Sequence, residues 1–473
     1  MSSNSKEIAK LKKKYLKSLT TRIFFRNRSL VLNYLPAPLS VWILRRGLIK
    51  SDYKLKRESY KFFALSSRAY GARKLHKCDR LLRIATGLLG SNFPKSYRNL
   101  LRKAISLTIK NASDRVSNST SILIATKELE LRTFDATSWY QLSRGLFCLG
   151  YFRAAWVARE NSLDLSIDEG SKQNSSPTAV RRAVEGHLER LNLDSAENIL
   201  TSTNVLTLKT ISSFRESLRW FKGNFTKNRV GDPGASLADG ASKDLFGLLV
   251  NGKTVALVGP GQPRGEYGNE IDASEIVARI KFPGSAYLLD YRLFGKRCDI
   301  SQYPNLCPLR ELANLSSYEF FDDLRLIVTG EANSSPIRNI PVYSENQELP
   351  MYRTTATSGM RLLVSLIRQG PRSLKVFGYD FYSAREPYNL GMKSFYEMDA
   401  WKMGDGYLFG TNADFPKTDI TVNFGDHDPV SNFCFAQNLY KAGLFDIEPY
   451  GKSILELTPY QYVERLEEML GDW

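Results

Sequence analysis

Three segments in the second half of the chain carry residue types that could do group-transfer chemistry. In the first, the apolar run TVALV at 254–258 breaks into Gly259, Pro260 and Gly261. Residues without side chains let backbone N–H groups approach a phosphate or sugar, although a plain tight turn would use the same residues. In the second, Thr357, Ser358 and Gly359 stand directly before the run MRLLVSLI. Small hydroxyl residues at a helix start offer N–H donors and a partial positive charge to an anion, or simply cap the helix. The third, FGDHDP, holds His427, the only histidine in the last 286 residues. Histidine titrates near ~6.5 and suits a general base that takes a proton from an attacking hydroxyl. The alternative there is a capping loop in which Asp428 caps and His427 is incidental.

These segments need a sheet to hold them. Short β-type runs at Thr254–Val258, Ile276–Phe282, Leu324–Thr329, Leu374–Tyr379 and Ile420–Phe424 alternate with helical stretches near 357–369, 429–442 and 458–470. The alternation predicts a Rossmann-like α/β domain with a largely parallel sheet, whose strand carboxyl ends collect ligand-binding turns. A dinucleotide fingerprint would require glycine at 264, where Arg264 stands, and no Gly-Lys-Ser/Thr follows to make a P-loop.

Upstream, from about 55 to 225, the pattern is all-α and repeats. The stretch WYQLSRGLFCLGYFRAAWVARENSLDL resembles a tetratricopeptide unit, with Gly150 where two helices turn and Ala155 where they pack closely. A weaker unit, RRAVEGHLERLNLDSAENIL, has Gly186 and Ala196 in corresponding places. Such an array offers a concave surface to a protein partner, or is a plain helical spacer. His76 and His187 read as solvated or core histidines. A Gly-, Ala-, Ser- and Asp-rich stretch at 227–243 marks a linker. The expected division is an arm at 1–50, helices at 51–226, the linker, and an α/β domain at 244–473. A chain starting near Asp244 is expected to stay soluble and active.

Charge is distributed unevenly. The chain has 473 residues and a net charge of +17, yet residues 1–100 hold 24 basic and 4 acidic side chains and the remainder is slightly acidic. That excludes a basic nucleic-acid channel through the body. Within the arm, Ile8, Leu11, Tyr15, Leu19, Ile23 and Phe24 fall near one helical face and Lys12, Lys13, Lys14 and Lys17 largely elsewhere. This is the pattern of a helix docked on an anionic membrane, or of one packed on its own domain. The apolar run Leu30–Leu44 contains Asn33, Pro36 and Pro38 and falls short of the ~20 residues a span requires. The first residues show no leader pattern, and the five cysteines are odd in number and lack a C-x-x-C pair. Together these predict a cytoplasmic protein, peripheral on the inner face of a membrane, without a disulfide framework or structural zinc.

Taken jointly, the segments between roughly 245 and 450 resemble the sialyltransferase superfamily. Its large motif is matched by the glycine turn and GNEIDASEIVARI, with Asn269, Asp272 and Arg279. Its small motif is matched by TSGMRLLVSLIRQGPRSLKVFGYD, a short aromatic motif by SFYE with Tyr396, and the histidine motif by His427. Where the family pattern carries Asn, Asn and Glu, this chain has Pro260, Lys281 and Asn432. The disulfide joining the animal motifs is absent, as suits a bacterial-type enzyme.

The resemblance implies a GT-A-type, sialyltransferase-like sheet. It also implies transfer of an acidic ulosonic sugar, sialic acid or Kdo, from a cytidine monophosphate (CMP) donor to a glycan or glycolipid in polysaccharide biosynthesis. Gly259, Pro260, Gly261 and Asn269 would lie near the nucleotide. Thr357, Ser358 and Gly359 would hold phosphate or sugar carboxylate, Tyr396 the phosphate and Lys281 a carboxylate such as that of Kdo. His427 would be the general base, with no metal or other cofactor. Related Kdo transferases share the sheet, and the outcome stays open between inversion and retention. Two alternatives remain: a metal-dependent nucleoside-diphosphate-sugar transferase using Asp426 and Asp428 as a clamp, and a helical-repeat scaffold that only binds a nucleotide.

Overall fold

The computed structural model describes residues 99–100, 103–104, 115–224, 240–261, 263–282, 284, 290–303, 323–330, 340–345, 349–384, 424 and 427–471. The arm, His76, most of the expected linker, Tyr396, Asp426 and the expected strand at 420–424, apart from Phe424, lie outside them.

The α/β expectation is met by a seven-stranded, wholly parallel sheet. Its strands are β1 (Thr254–Val258), β2 (Ile276–Ile280), β3 (Ile300–Tyr303), β4 (Leu326–Thr329), β5 (Val342–Ser344), β6 (Ser373–Phe377) and β7 (Asp446–Ile447), in the order β5-β4-β3-β2-β1-β6-β7. β1 and β2 are buried almost throughout, so β1 reads as an unbroken apolar run and β2 as one interrupted only by Arg279, rather than as an alternation. The chain begins at β1, walks to one edge at β5, then returns to the other side of β1 with β6. Neighbouring crossovers therefore diverge between β1 and β6, and the carboxyl ends of those two strands are the topological switch point, termed the β1–β6 crevice.

Before the sheet run α1 (Arg115–Lys127), α2 (Ala136–Leu149), α3 (Phe152–Gly170), α4 (Pro177–Glu189), α5 (Leu193–Ser202), α6 (Leu208–Phe221) and α7 (Gly240–Val250). Within and after it come α8 (Gly268–Ala273), α9 (Tyr291–Phe294), α10 (Ser358–Arg368), α11 (Pro429–Lys441), α12 (Pro449–Leu455) and α13 (Pro459–Gly471). Local chemistry sets many of these starts. Asp135, Ser176, Thr207, Thr357, Asp428 and Glu448 each cap a helix by accepting a backbone N–H, and α4, α11 and α12 begin on a proline. Gly150 ends α2 at φ 84°, where it forms the expected turn, and Ala155 and Ala196 are fully buried. Gly186 does not turn the chain. It sits inside α4, where a Cβ would lie 2.8 Å from Leu163 of α3, and the turn falls later, at Leu191 with φ 57°.

The helical region and the sheet share one core. Trp139, Phe147 and Phe152 belong to the same contiguous apolar cluster as Val255, Leu363 and Phe433. Phe424 lies between the rings of Phe147, Phe152 and Tyr382. Polar contacts follow the same seam. Arg153 of α3 binds Glu467 of α13, Arg368 of α10 forks onto Glu216 of α6, and the Tyr352 hydroxyl meets Ser162 and Ser166 of α3. Cutting before Asp244 would strip one wall from this core, so the expectation that the remainder stays soluble does not fit the packing. No helix among the described residues is long and apolar enough to cross a membrane.

Candidate functional site

At the β1–β6 crevice the two chains come backbone to backbone. The N–H of Gly259 donates to Phe377 O (2.7 Å) and that of Gly261 to Gly378 O (3.0 Å). A Cβ on Gly259 would stand 2.4 Å from Gly378 O, and one on Gly261 2.8 Å from it. The glycines are thus required, but for close approach of two backbones. Their N–H groups are consumed by β6, which corrects the expectation that they face a phosphate. Pro260 is half-buried between them.

The second segment is tied to the first through Tyr379. Its hydroxyl lies 3.1 Å from Thr357 Oγ1, and its ring covers Gly359, where a Cβ would fall 2.4 Å from the ring edge. Thr357 caps α10 by accepting from Met360 N, and its own N–H donates to Asn432 Oδ1 (3.0 Å). Of the first-turn donors this leaves the N–H groups of Ser358 and Gly359 without a partner among the described residues. Ser358 is half-buried and Gly359 is buried beneath the Tyr379 ring.

Asn432 also joins the third segment, because its Nδ2 donates to Asp428 O (2.9 Å). Next to Asp428 the half-buried His427 places Nδ1 3.0 Å from Thr355 O. A carbonyl can only accept, so this contact is a hydrogen bond when Nδ1 carries the proton, and in the neutral ring that leaves the lone pair on Nε2, the tautomer a general base requires. Asp428 does cap α11, accepting from Val430 N and Ser431 N, while His427 sits at the same edge with its Nδ1 against Thr355 O.

Two carboxylates near this edge differ in what they touch. Asp428 is fully buried, and its second oxygen accepts from Arg159 Nε (3.0 Å), whose guanidinium also forks onto Glu189. Asp428 thus serves as helix cap and ion-pair partner at once. Asp380 follows β6. Its Oδ1 accepts from Tyr382 N, but the buried Oδ2 has no hydrogen-bond partner among the described residues and lies 3.2 Å from where a Cβ of Gly261 would be. Burial pushes its pKa up to about 7, against the lowering effect of hydrogen bonds to its carboxylate and of the Arg264 charge. Sequence reading passed over Asp380, Tyr379 and Arg264. The signal available was FGYD itself, an acid directly after a buried strand.

The remaining expected residues divide. Lys281 leaves β2 at φ 52°, placing it on the same sheet edge, whereas Asn269 is exposed on α8. Arg353, Phe381 and Tyr382 also adopt left-handed φ of 52°, 51° and 66°. Such backbone costs ~1–3 kcal/mol per residue and gathers at functional edges. Asp272 and Arg279 fix a turn instead: Asp272 accepts from Lys296 N and Arg297 N, and the buried Arg279 donates to Arg297 O and Phe294 O. His187 is a core histidine on α4. Among the described residues no cluster of three or more His, Cys, Asp or Glu is placed to hold a metal ion. No protein-family model, curated protein or solved structure matches the chain.

Proposed function

We propose that this protein is a glycosyltransferase that moves an acidic ulosonic sugar, sialic acid or Kdo, from its CMP donor to a glycan or glycolipid hydroxyl. The observation that carries the reading is the run of hydrogen bonds from Tyr379, beside the β1–β6 crevice, through Thr357 and Asn432 to the backbone of Asp428, next to His427, whose Nδ1 faces Thr355 O. In this reading the donor phosphate lies against the N–H groups of Ser358 and Gly359, where the positive end of α10 stabilises the departing CMP. His427 Nε2 takes the proton of the acceptor hydroxyl. The acceptor oxygen then bonds to the anomeric carbon as the bond to the phosphate oxygen breaks, and the pair of electrons leaves with CMP. Asp380 supports a ligand in the crevice, since its orphan oxygen would pair with a donor group of that ligand. Lys281 serves the sugar carboxylate in this scheme, and the acceptor is reached at a membrane surface. A donor panel tests it: turnover is expected with CMP-sialate or CMP-Kdo, and turnover only with uridine or guanosine diphosphate sugars overturns the assignment.

A further inference from the structure

We infer that the helical array positions the candidate general base, with Arg144 of α2 holding the backbone of His427 from outside the sheet domain. The kinetic arm of the inference rests on the glycosyl-transfer reading, while its geometry does not. Arg144 is buried and donates from Nη1 to the carbonyl of His427 at 2.7 Å, across 283 residues of chain. The same dipeptide is gripped three more times. His427 Nδ1 meets Thr355 O (3.0 Å), Asp428 N donates to Thr354 Oγ1 (2.8 Å), and the Asp428 carboxylate receives Arg159 of α3 (3.0 Å). Two of these holds come from the loop before α10 and two from the array.

The geometry of the clamp carries the argument. A charged donor makes a hydrogen bond about twice as strong as a neutral one and holds its acceptor in a narrower geometry. A base has to be held within about 0.5 Å of its working position, and an imidazole is aimed by its own backbone before any contact on its ring. With the peptide between 427 and 428 clamped by Arg144 on one side and Thr354 on the other, the ring meets Thr355 O in one orientation. Arg144 is thus a positioning residue, and the array completes the site it flanks.

The test uses the full chain. Arg144→Met should lower kcat about 10–10²-fold, the effect of a misplacement near 1 Å, with donor KM within twofold of wild type. Arg144→Lys, which keeps a charged donor, should restore most of the loss. Nitrogen NMR on histidine-labelled protein supplies a readout independent of turnover, helped by a sequence with only 3 histidines. His427 should give a single Nδ1–H tautomer in wild type and a mixture in Arg144→Met. If that variant fails to fold, Arg144→Gln, which keeps a shorter neutral donor, should show the same tautomer mixing. Unchanged kcat and an unchanged tautomer in a folded variant overturn the inference. If wild type turns over no donor at all, the functional reading falls, and the tautomer result alone decides the positioning role.

Discussion

Asp428 and Asp380 are both buried carboxylates near the carboxyl edge of one sheet, yet their surroundings are opposite. Asp428 has every oxygen engaged, by two N–H groups of its own helix and by the Arg159 guanidinium. Asp380 has one oxygen engaged and one left alone beside the β1–β6 crevice. The contrast separates two uses of buried charge. Where a partner arrives from another part of the chain, the carboxylate is spent on joining the helical array to the sheet. Where none arrives, it carries an unmet hydrogen-bonding capacity, and the natural complement is a ligand.

Removing the array breaks the first half of this comparison most severely. A chain starting near Asp244 loses Arg159 and Arg144 together with one wall of the shared core, and it is expected to be insoluble or to lack a cooperative thermal transition. A soluble, cooperatively melting fragment would show that the seam is dispensable. A smaller cut at the same place is Arg159→Met. It leaves Asp428 and Glu189 buried without their cation, and denaturant unfolding should show a loss of about 3–5 kcal/mol. A loss under 1 kcal/mol would mean that water reaches the pair.

Asp380 sharpens the other half. Its folded pKa of about 7 lies above the ordinary aspartate value near ~3.9. The folded state then binds the proton more tightly than the unfolded chain, so the contribution is complete below about pH 4 and is lost as pH rises toward and through 7. Between pH 5 and pH 8 wild type should lose about 2–4 kcal/mol relative to Asp380→Asn, by urea unfolding at both pH values. Parallel pH profiles for the two proteins would place a partner or solvent on Asp380 Oδ2. Saturating CMP that lessens the wild-type loss would add that the nucleotide supplies the missing partner.

What the sequence revealed follows the range of the forces involved. Strand β1, the starts of α10 and α11, and the Gly150 turn were legible because buried apolar runs, Thr357 and Asp428 as caps and a glycine at φ 84° are local signals. β5 and β7, at 3 and 2 residues, are too short to leave a period. Gly186 was misplaced because a glycine inside a helix that admits a neighbouring Leu163 looks, in sequence, the same as one that turns. The reversed role of Gly259 and Gly261 depends on Gly378, more than 100 residues away. Arg159 and Asp428 are 269 positions apart, so no window on the chain contains both. In the candidate site, His427, Thr357 and Gly359 were readable as types and Asn432 only as a departure from the family pattern, whereas the parts played by Tyr379 and Arg144, which join or hold them, became visible only through contacts.

The central claim is that His427 acts on a hydroxyl at the edge of a donor site that does not otherwise depend on it. The direct measurement pairs steady-state transfer from CMP-sialate or CMP-Kdo with calorimetric titration of CMP, on wild type and His427→Ala from the same preparation. The account predicts a fall in kcat of ~10²–10⁴-fold, the contribution expected of a general base, with CMP affinity within about twofold of wild type. Near-normal turnover in His427→Ala would contradict it and return His427 to the loop that caps α11.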